Sequence, residues 1–218
     1  MEKIIIYGTG DLASQLYRYM NMDNRYEVDA FTVEKQYCSS DCFCGLPVIP
    51  FETIEKTFSP DNYKVLVCVG YNNMNRTRAR VFDLVKDKGY KIASFIHSTA
   101  TILTNDLGTG NIILENVTLS IGSKVGIGNI IYNNAVLSHD VKIGDFNLIA
   151  AATCFLGCSS VENFCFVGGN STIKDKVKIN DYSLIGAGTY INKSTKPGSV
   201  YVPIKAQKLK VKSDEILI

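Results

Sequence analysis

The chain holds two histidines, His97 and His139, and the second is followed directly by Asp140. Imidazole titrates near neutrality, so a histidine can take the proton from an attacking amine or hydroxyl at physiological pH. A neighbouring carboxylate orients the ring and stabilises the imidazolium. This pair therefore suits acyl transfer from a thioester, where the nucleophile must lose a proton as it attacks. Adjacent side chains on a strand point to opposite faces, so Asp140 can serve His139 only where the chain turns a corner. The competing reading is a surface histidine making a single hydrogen bond.

A second group of residues suits phosphate. Gly8-Thr9-Gly10-Asp11-Leu12-Ala13 follows an apolar stretch and opens a helical one, and it partly fits G-x-G-x-x-G/A. A dinucleotide site is the less favoured reading. The half that carries the motif is too short for two mononucleotide units, and the second strand ends Phe31-Thr32-Val33, with Glu34 one step late for a ribose contact. Backbone N–H groups at a helix start suit a single phosphate group better. Gly70-Tyr71-Asn72 ends the strongest strand and belongs to the same edge, where ligands of open parallel sheets bind. Arg76, Arg78 and Arg80 form a run that either aids a diphosphate or lies on a solvated helix face. Cys38, Cys42 and Cys44 are close in sequence, but no histidine pair accompanies them, so plain thiols are expected and no metal.

Two kinds of element must position these residues. In the first half, strand-like stretches at 3–7, 27–33, 46–49, 64–69 and 91–96 alternate with helical ones at 11–20, 51–58 and 73–88. That alternation predicts a small Rossmann-like parallel α/β sheet. In the second half every sixth residue is apolar: Leu107, Ile113, Leu119, Val125, Ile131, Leu137, Ile143, Ile149, Phe155, Val161, Val167, Ile173, Ile179, Ile185 and Ile191. With a 46% hydrophobic composition, fifteen in a row arise by chance roughly once in 10⁵ phases.

Two residues before each of these positions from Ile113 onward, up to Thr195, the residue is small or short, and glycine is common just after the apolar one. The pattern predicts a left-handed parallel β-helix of triangular section. The apolar residue points inward, the small one fits beside it, and glycine or asparagine supplies positive φ at the corners. Fifteen hexads make about five coils, or roughly 24 Å at the strand spacing. Phe95 falls in the same phase, which puts both histidines two residues after a phase position. The division expected is 1–96 for the α/β domain, 97–200 for the β-helix and 201–218 for a C-terminal tail.

The opening IIIYGTGD, VGYNN, FIHSTATI, the hexads and SHDVKIGDF together resemble the bacterial nucleotide-sugar acetyltransferases, the group of sialic acid O-acetyltransferase-like and UDP- or GDP-amino-sugar N-acetyltransferases. The likeness runs from Lys3 to about Ala206. It implies a homotrimer in which acetyl-CoA lies between adjacent prisms, with His139 as general base and Asp140 as its partner. It also implies acetyl-CoA contacts from the backbone at Gly157, Gly169 and Ala187, and nucleotide contacts from Thr9, Gly10, Asp11, Gly70, Tyr71 and Asn72. His97 matches a structural histidine at the entry to the helix.

Two departures stand out. Leu148 occupies a place where some members carry a second histidine near the thioester, and the usual G-x-P-A-K pattern reads Tyr201-Val-Pro203-Ile-Lys205-Ala206 here. The activity implied is N-acetylation of a UDP-, GDP- or dTDP-linked amino sugar in lipopolysaccharide, O-antigen or other surface-glycan synthesis. O-acetylation of a sugar hydroxyl stays open, because one base serves both, and so does a non-catalytic sugar-nucleotide scaffold. A zinc carbonic anhydrase on a similar prism needs three histidines and is excluded on ligand count.

Composition narrows the remaining classes. The 23 basic and 21 acidic residues leave a net charge of +2, too balanced for a large nucleic-acid footprint. No apolar run approaches a membrane span. The opening residues lack the basic and apolar regions of a signal peptide, and seven cysteines is an odd number, so reduced thiols in the cytoplasm are expected. Leu156, Phe164 and Phe166 fall on outward faces, where they are expected to cover one another between subunits.

Overall fold

Three consecutive isoleucines set the centre of the first half. Ile4, Ile5 and Ile6 are fully buried in β1 (Glu2–Tyr7), which is covered on both faces, as a continuous apolar run requires. The computed structural model describes residues 1–205, and within it β1 pairs in parallel with β2 (Tyr26–Val33) and β5 (Lys64–Val67). The full order is β3 (Cys42–Phe43), β4 (Leu46–Pro50), β2, β1, β5, β6 (Lys91–Ile92), with β3 alone antiparallel. Ile4 and Ile6 face the buried side of α1 (Asp11–Asn21), with Leu16 and Met20. Ile5 and Tyr7 face α2 (Arg76–Asp87), with Val81, Phe82 and Val85.

Three expected elements differ. The helix over 73–88 starts only at Arg76, because Asn73, Met74 and Asn75 take φ of 52°, 48° and 64° and cannot join a right-handed helix. The stretch 51–58 is a 3₁₀ helix over Phe51–Lys56. The strand over 91–96 is two strands. Lys91–Ile92 ends the sheet, while Phe95–Ile96 pairs with Ile112–Ile113 and begins the next unit.

That unit is the left-handed parallel β-helix. Each hexad supplies a two-residue strand whose second residue points inward, and Leu119, Ile131, Leu137, Ile149, Phe155, Val167, Ile173, Ile179 and Ile185 form one fully buried column system. Three faces result. The docked face stacks seven strands from Phe95–Ile96 to Val200–Tyr201, the open face six, including Val136–Leu137 and Cys154–Phe155, and the lysine face four, including Lys124–Val125, Lys142–Ile143 and Lys178–Ile179. Seven stacked strands make six turns, one more than the unbroken hexads predict.

The added first turn shifts the phase. Its inward residues are Ile96, Ile102 and Leu107, paired with Ile113, Leu119 and Val125. Phe95 therefore does not face the interior, and His97 follows the inward residue by one place, not two. Thr104 tightens the short corner, its hydroxyl donating to the Ser123 carbonyl (2.6 Å) and accepting from the Asp106 N–H (3.1 Å).

The small residues beside the apolar column do more than fit. The Oδ1 atoms of Asn111, Asn129 and Asn147 accept from the backbone N–H of Asn129, Asn147 and Cys165 one coil away (2.8, 2.8 and 2.7 Å). Their side-chain amides donate to carbonyls at the next corner, satisfying buried polar groups that water cannot reach. Positive φ also falls elsewhere than expected. Every sixth residue from Gly110 to Gly188 is left-handed, and most are not glycine; Asp140, Phe146, Ala152, Cys158, Phe164 and Tyr182 are among them. The glycines just after the apolar residue, such as Gly126 and Gly144, are not left-handed; a Cβ on Gly126 would lie 2.7 Å from the Gly144 carbonyl oxygen. Close coil approach is the reason for glycine there.

The α/β unit rests on the docked face. Ile112, Ile130 and Leu148 point outward from the prism into the core that holds α1. Phe166 joins the same cluster, and Phe164 packs with α2. Two of the three residues expected to meet another subunit are thus partly covered within the chain. Leu148 is 4% exposed and serves this packing, so its side chain belongs to the domain contact.

Candidate active site

His139 leaves the strand Val136–Leu137 at the edge between the open and lysine faces. Asp140, the next residue, takes φ of 58°, and this left-handed corner folds its side chain back toward the ring. The His139 Nδ1–H then donates to Asp140 Oδ2 at 2.9 Å. The corner resolves the conflict that a straight strand would impose. Both side chains are about three-fifths exposed (61% each), so the ring is open to a ligand.

The coils on either side make room for the pair. The imidazole lies against Gly157, one coil (18 residues) onward, where any Cβ would overlap Nε2. The carboxylate lies against Gly122, one coil back, where a Cβ would overlap Oδ1. Backbone bonds hold the three corners in register: Asp140 N–H donates to Ile121 O (3.1 Å) and Cys158 N–H to His139 O (3.0 Å). Gly122 and Cys158 were not singled out from the sequence; the spacing of 18 from Asp140 was the signal that points to both.

Each corner also has an N–H two residues after its inward side chain. Among the described residues, those of Gly157, Gly169 and Ala187 donate to no acceptor in the chain. Gly157 shares the edge of His139. Gly169 and Ala187 lie on a different edge, between the docked and open faces, joined by a Gly188 N–H to Gly169 O bond of 2.8 Å. One chain therefore separates its imidazole from two of the three expected acetyl-CoA contacts.

The loops at the sheet edge lie side by side because Tyr7 pairs with Val67. Gly8 has φ of 131°, and a Cβ there would approach the Cys68 carbonyl oxygen to 2.7 Å. Of the expected nucleotide contacts, Gly10, Asp11, Tyr71 and Asn72 are exposed, and Thr9 and Gly70 are half-buried. They do not share one hollow. Asn72 lines a cleft of about 310 Å³ with Tyr7, Gly8, Glu34, Tyr37 and Arg80. Thr9 lines one of about 150 Å³ with Tyr37, Ser39 and Ser40. Asp11 opens onto a groove along α1 with Ser14, Arg18 and Tyr19. Tyr37, common to the first two hollows and 61% exposed, is a further candidate that its sequence context did not reveal. Tyr71 packs edge-on against Phe166 (5.3 Å between centroids), which ties its loop to the prism.

The arginine run has three separate fates: Arg78 is buried, whereas Arg76 and Arg80 stay on the exposed side of α2. Arg78 is 1% exposed and donates to the carbonyls of Val69 (3.1 Å), Gly70 (2.8 Å), Gly128 (2.8 Å) and Asn147 (3.1 Å). It thereby pins the Gly70 loop to the prism, and burial pushes its pKa down to about 9. Arg80 makes a bidentate pair with Glu34 (3.0 and 2.6 Å), and its guanidinium holds that carboxyl below the usual range. Burial, with Glu34 adding, pushes the Tyr7 phenol up. Arg76 caps the Tyr182 ring at 4.5 Å. His97 accepts from the Thr99 N–H (3.2 Å) and packs edge-on against Tyr19, as a structural residue would.

No protein-family model matches the sequence, and no curated protein matches it. Solved structures do. The acetyltransferase domain of PglB from Neisseria gonorrhoeae is 21% identical over 92% of this chain and 96% of that one, with a TM-score of 0.78. PerB from Caulobacter crescentus, solved in complex with CoA and GDP-perosamine, is 22% identical over 95% and 98%, with a TM-score of 0.78. WeeI from Acinetobacter baumannii is 13% identical over 92% and 96%, with a TM-score of 0.60. At these identities the likeness establishes the fold.

Proposed function

We propose that the chain is an acetyl-CoA-dependent N-acetyltransferase acting on a nucleotide-linked amino sugar. The observation that carries this reading is the exposed, carboxylate-oriented imidazole of His139 lying over a glycine with a free N–H. The fold supports it, since the PglB domain has been solved with acetyl coenzyme A and PerB with CoA and GDP-perosamine.

In this reading the sugar amine attacks the thioester carbonyl as His139 takes its proton. The carbon–nitrogen bond forms, the carbon–sulfur bond breaks, and the imidazolium returns the proton to the departing CoA thiolate. Asp140 stabilises the imidazolium, and the Gly157 N–H donates to the carbonyl oxygen as it gains charge. The nucleotide sits at the edge formed by Thr9, Gly10, Asp11, Gly70, Tyr71 and Asn72. Gly169 and Ala187 contact acetyl-CoA bound against His139 of another copy, which makes a homotrimer the working form. The placement of these groups on two separate edges supports that assembly. No helix among the described residues is long and apolar enough to cross a membrane, in keeping with a cytoplasmic role in lipopolysaccharide or other surface-glycan synthesis.

The test is mass spectrometry of products from acetyl-CoA with a panel of UDP-, GDP- and dTDP-amino sugars and their hydroxyl counterparts. Acetylation of an amine substrate is expected. Transfer to hydroxyl sugars alone would overturn the N-acetylation reading, and sedimentation as an active monomer would overturn the shared site.

A further inference from the structure

Metal-ligating side chains converge at one place. Among the described residues, only His139, Asp140 and Cys158 form a group of three whose ligand atoms all lie within 4.8 Å of one another. The N-terminal thiols Cys38, Cys42 and Cys44 form no such group. Asp140 and Cys158 hold the same corner position in successive coils, both with φ of 58°, and the Cys158 N–H bond to His139 O fixes their spacing. All three side chains are exposed, so the group is open to an ion from solvent.

An imidazole nitrogen, a carboxylate oxygen and a thiolate form a ligand set for zinc or cadmium, not for magnesium or calcium. Tetrahedral zinc, with bonds of about 2.0 Å to nitrogen and about 2.3 Å to sulfur, places ligand atoms roughly 3.5 Å apart. The His139–Asp140 pair is already at 2.9 Å, and rotation of the exposed Cys158 side chain closes the remainder.

The geometry points to a zinc- or cadmium-binding site formed by His139, Asp140 and Cys158, whose occupation blocks turnover. Binding releases the Cys158 thiol proton to solvent, moves the ring proton from Nδ1 to Nε2 through water, and engages the freed Nδ1 lone pair, with water in the fourth position. A metal-bound neutral imidazole has no lone pair left for a substrate proton. Ion binding stands on the three side chains alone, whereas inhibition rests on the reading of His139 as base.

The experiment uses the full chain, freed of metal by chelation. Zinc binding is followed by calorimetry, and cadmium binding by thiolate-to-metal charge-transfer absorption. Cys158→Ser is expected to weaken the tightest zinc site by at least about tenfold and to remove one equivalent of cadmium–thiolate absorption. Cys42→Ser is expected to leave the tightest site unchanged. Measured against each protein's own metal-free turnover, the zinc concentration needed for inhibition should rise at least about tenfold in Cys158→Ser. Magnesium should do nothing to either protein. Equal zinc affinity in parent and Cys158→Ser would overturn the site without touching the acetyltransferase reading. Zinc bound through Cys158 with turnover unaffected would overturn inhibition and, with it, His139 as the base.

Discussion

Two edges of the prism repeat the same hexad and end in opposite states. At the edge between the lysine and docked faces, the corner N–H groups of three successive coils are each capped one coil away. Ile127 N–H donates to Asp145 Oδ1 (2.9 Å), Asp145 N–H to Asn163 Oδ1 (2.8 Å) and Asn163 N–H to Asp181 Oδ1 (2.8 Å). The left-handed residues beside them are Phe146, Phe164 and Tyr182, which stack at 5.5 and 5.2 Å and are closed off by Phe82 and Arg76. At the edge of His139, the corresponding places hold Gly122, Asp140, Gly157 and Cys158, and the Gly157 N–H is uncapped. The first edge spends its donors on its own coils, whereas the second leaves the Gly157 N–H without an acceptor. Coil geometry is shared, so the difference lies wholly in the side chains at two corner positions.

The largest effect should come from the open edge. His139→Ala is expected to lower kcat by at least about 10²-fold with little change in the Kd for acetyl-CoA, since a general base acts in the transition state. Steady-state kinetics with a binding titration checks this, and full activity would remove the mechanism.

Matched glycine substitutions sharpen the contrast. Gly157→Ala should displace the imidazole and cost about tenfold or more in turnover, with the melting temperature barely moved. Gly126→Ala meets the backbone oxygen of Gly144 and the Asp145 side chain at the sealed edge, so it should cost about 1–3 kcal/mol of stability in denaturant titrations. Reversal of the two outcomes would break the comparison.

A smaller effect is expected from the caps themselves. Asp145→Ala or Asp181→Ala leaves one corner N–H without its acceptor and should lower stability by about 1–2 kcal/mol, while turnover per folded molecule stays the same. Loss of activity without loss of stability would show that the sealed edge has a chemical role.

The smallest belongs to neither edge. Arg80 holds the Glu34 carboxyl below its usual range, so the folded chain binds that proton less readily than the unfolded one. The contribution is full above the pKa of an unfolded glutamate and is lost as pH falls through the lowered folded value. The pair is partly exposed, which limits it to about 1 kcal/mol or less. Arg80→Ala should flatten the acid limb of stability against pH by that amount, and an unchanged profile would mean that the pair contributes nothing.

Periodicity made the interior legible. An inward apolar residue every six positions and a small one two places earlier are local constraints, repeated in every coil and satisfied by the coil above and below. From them follow the triangular section, the parallel stacking and the placing of His139 at a corner. The run Ile4–Ile6 likewise announced a strand, which the structure buries on both faces. What the outward residues do was not legible, because it depends on which prism face the α/β unit covers. That docking buried Leu148, drew Phe164 and Phe166 into contacts within the chain, and turned Arg78 into a bridge between four carbonyls. The left-handed turn at Asp140 and the room left by Gly122 and Gly157 are likewise products of stacking. A hexad specifies its own inward side chain through its own spacing, but the neighbours of an outward one arrive from 18 residues or more away, and only the folded chain brings them together.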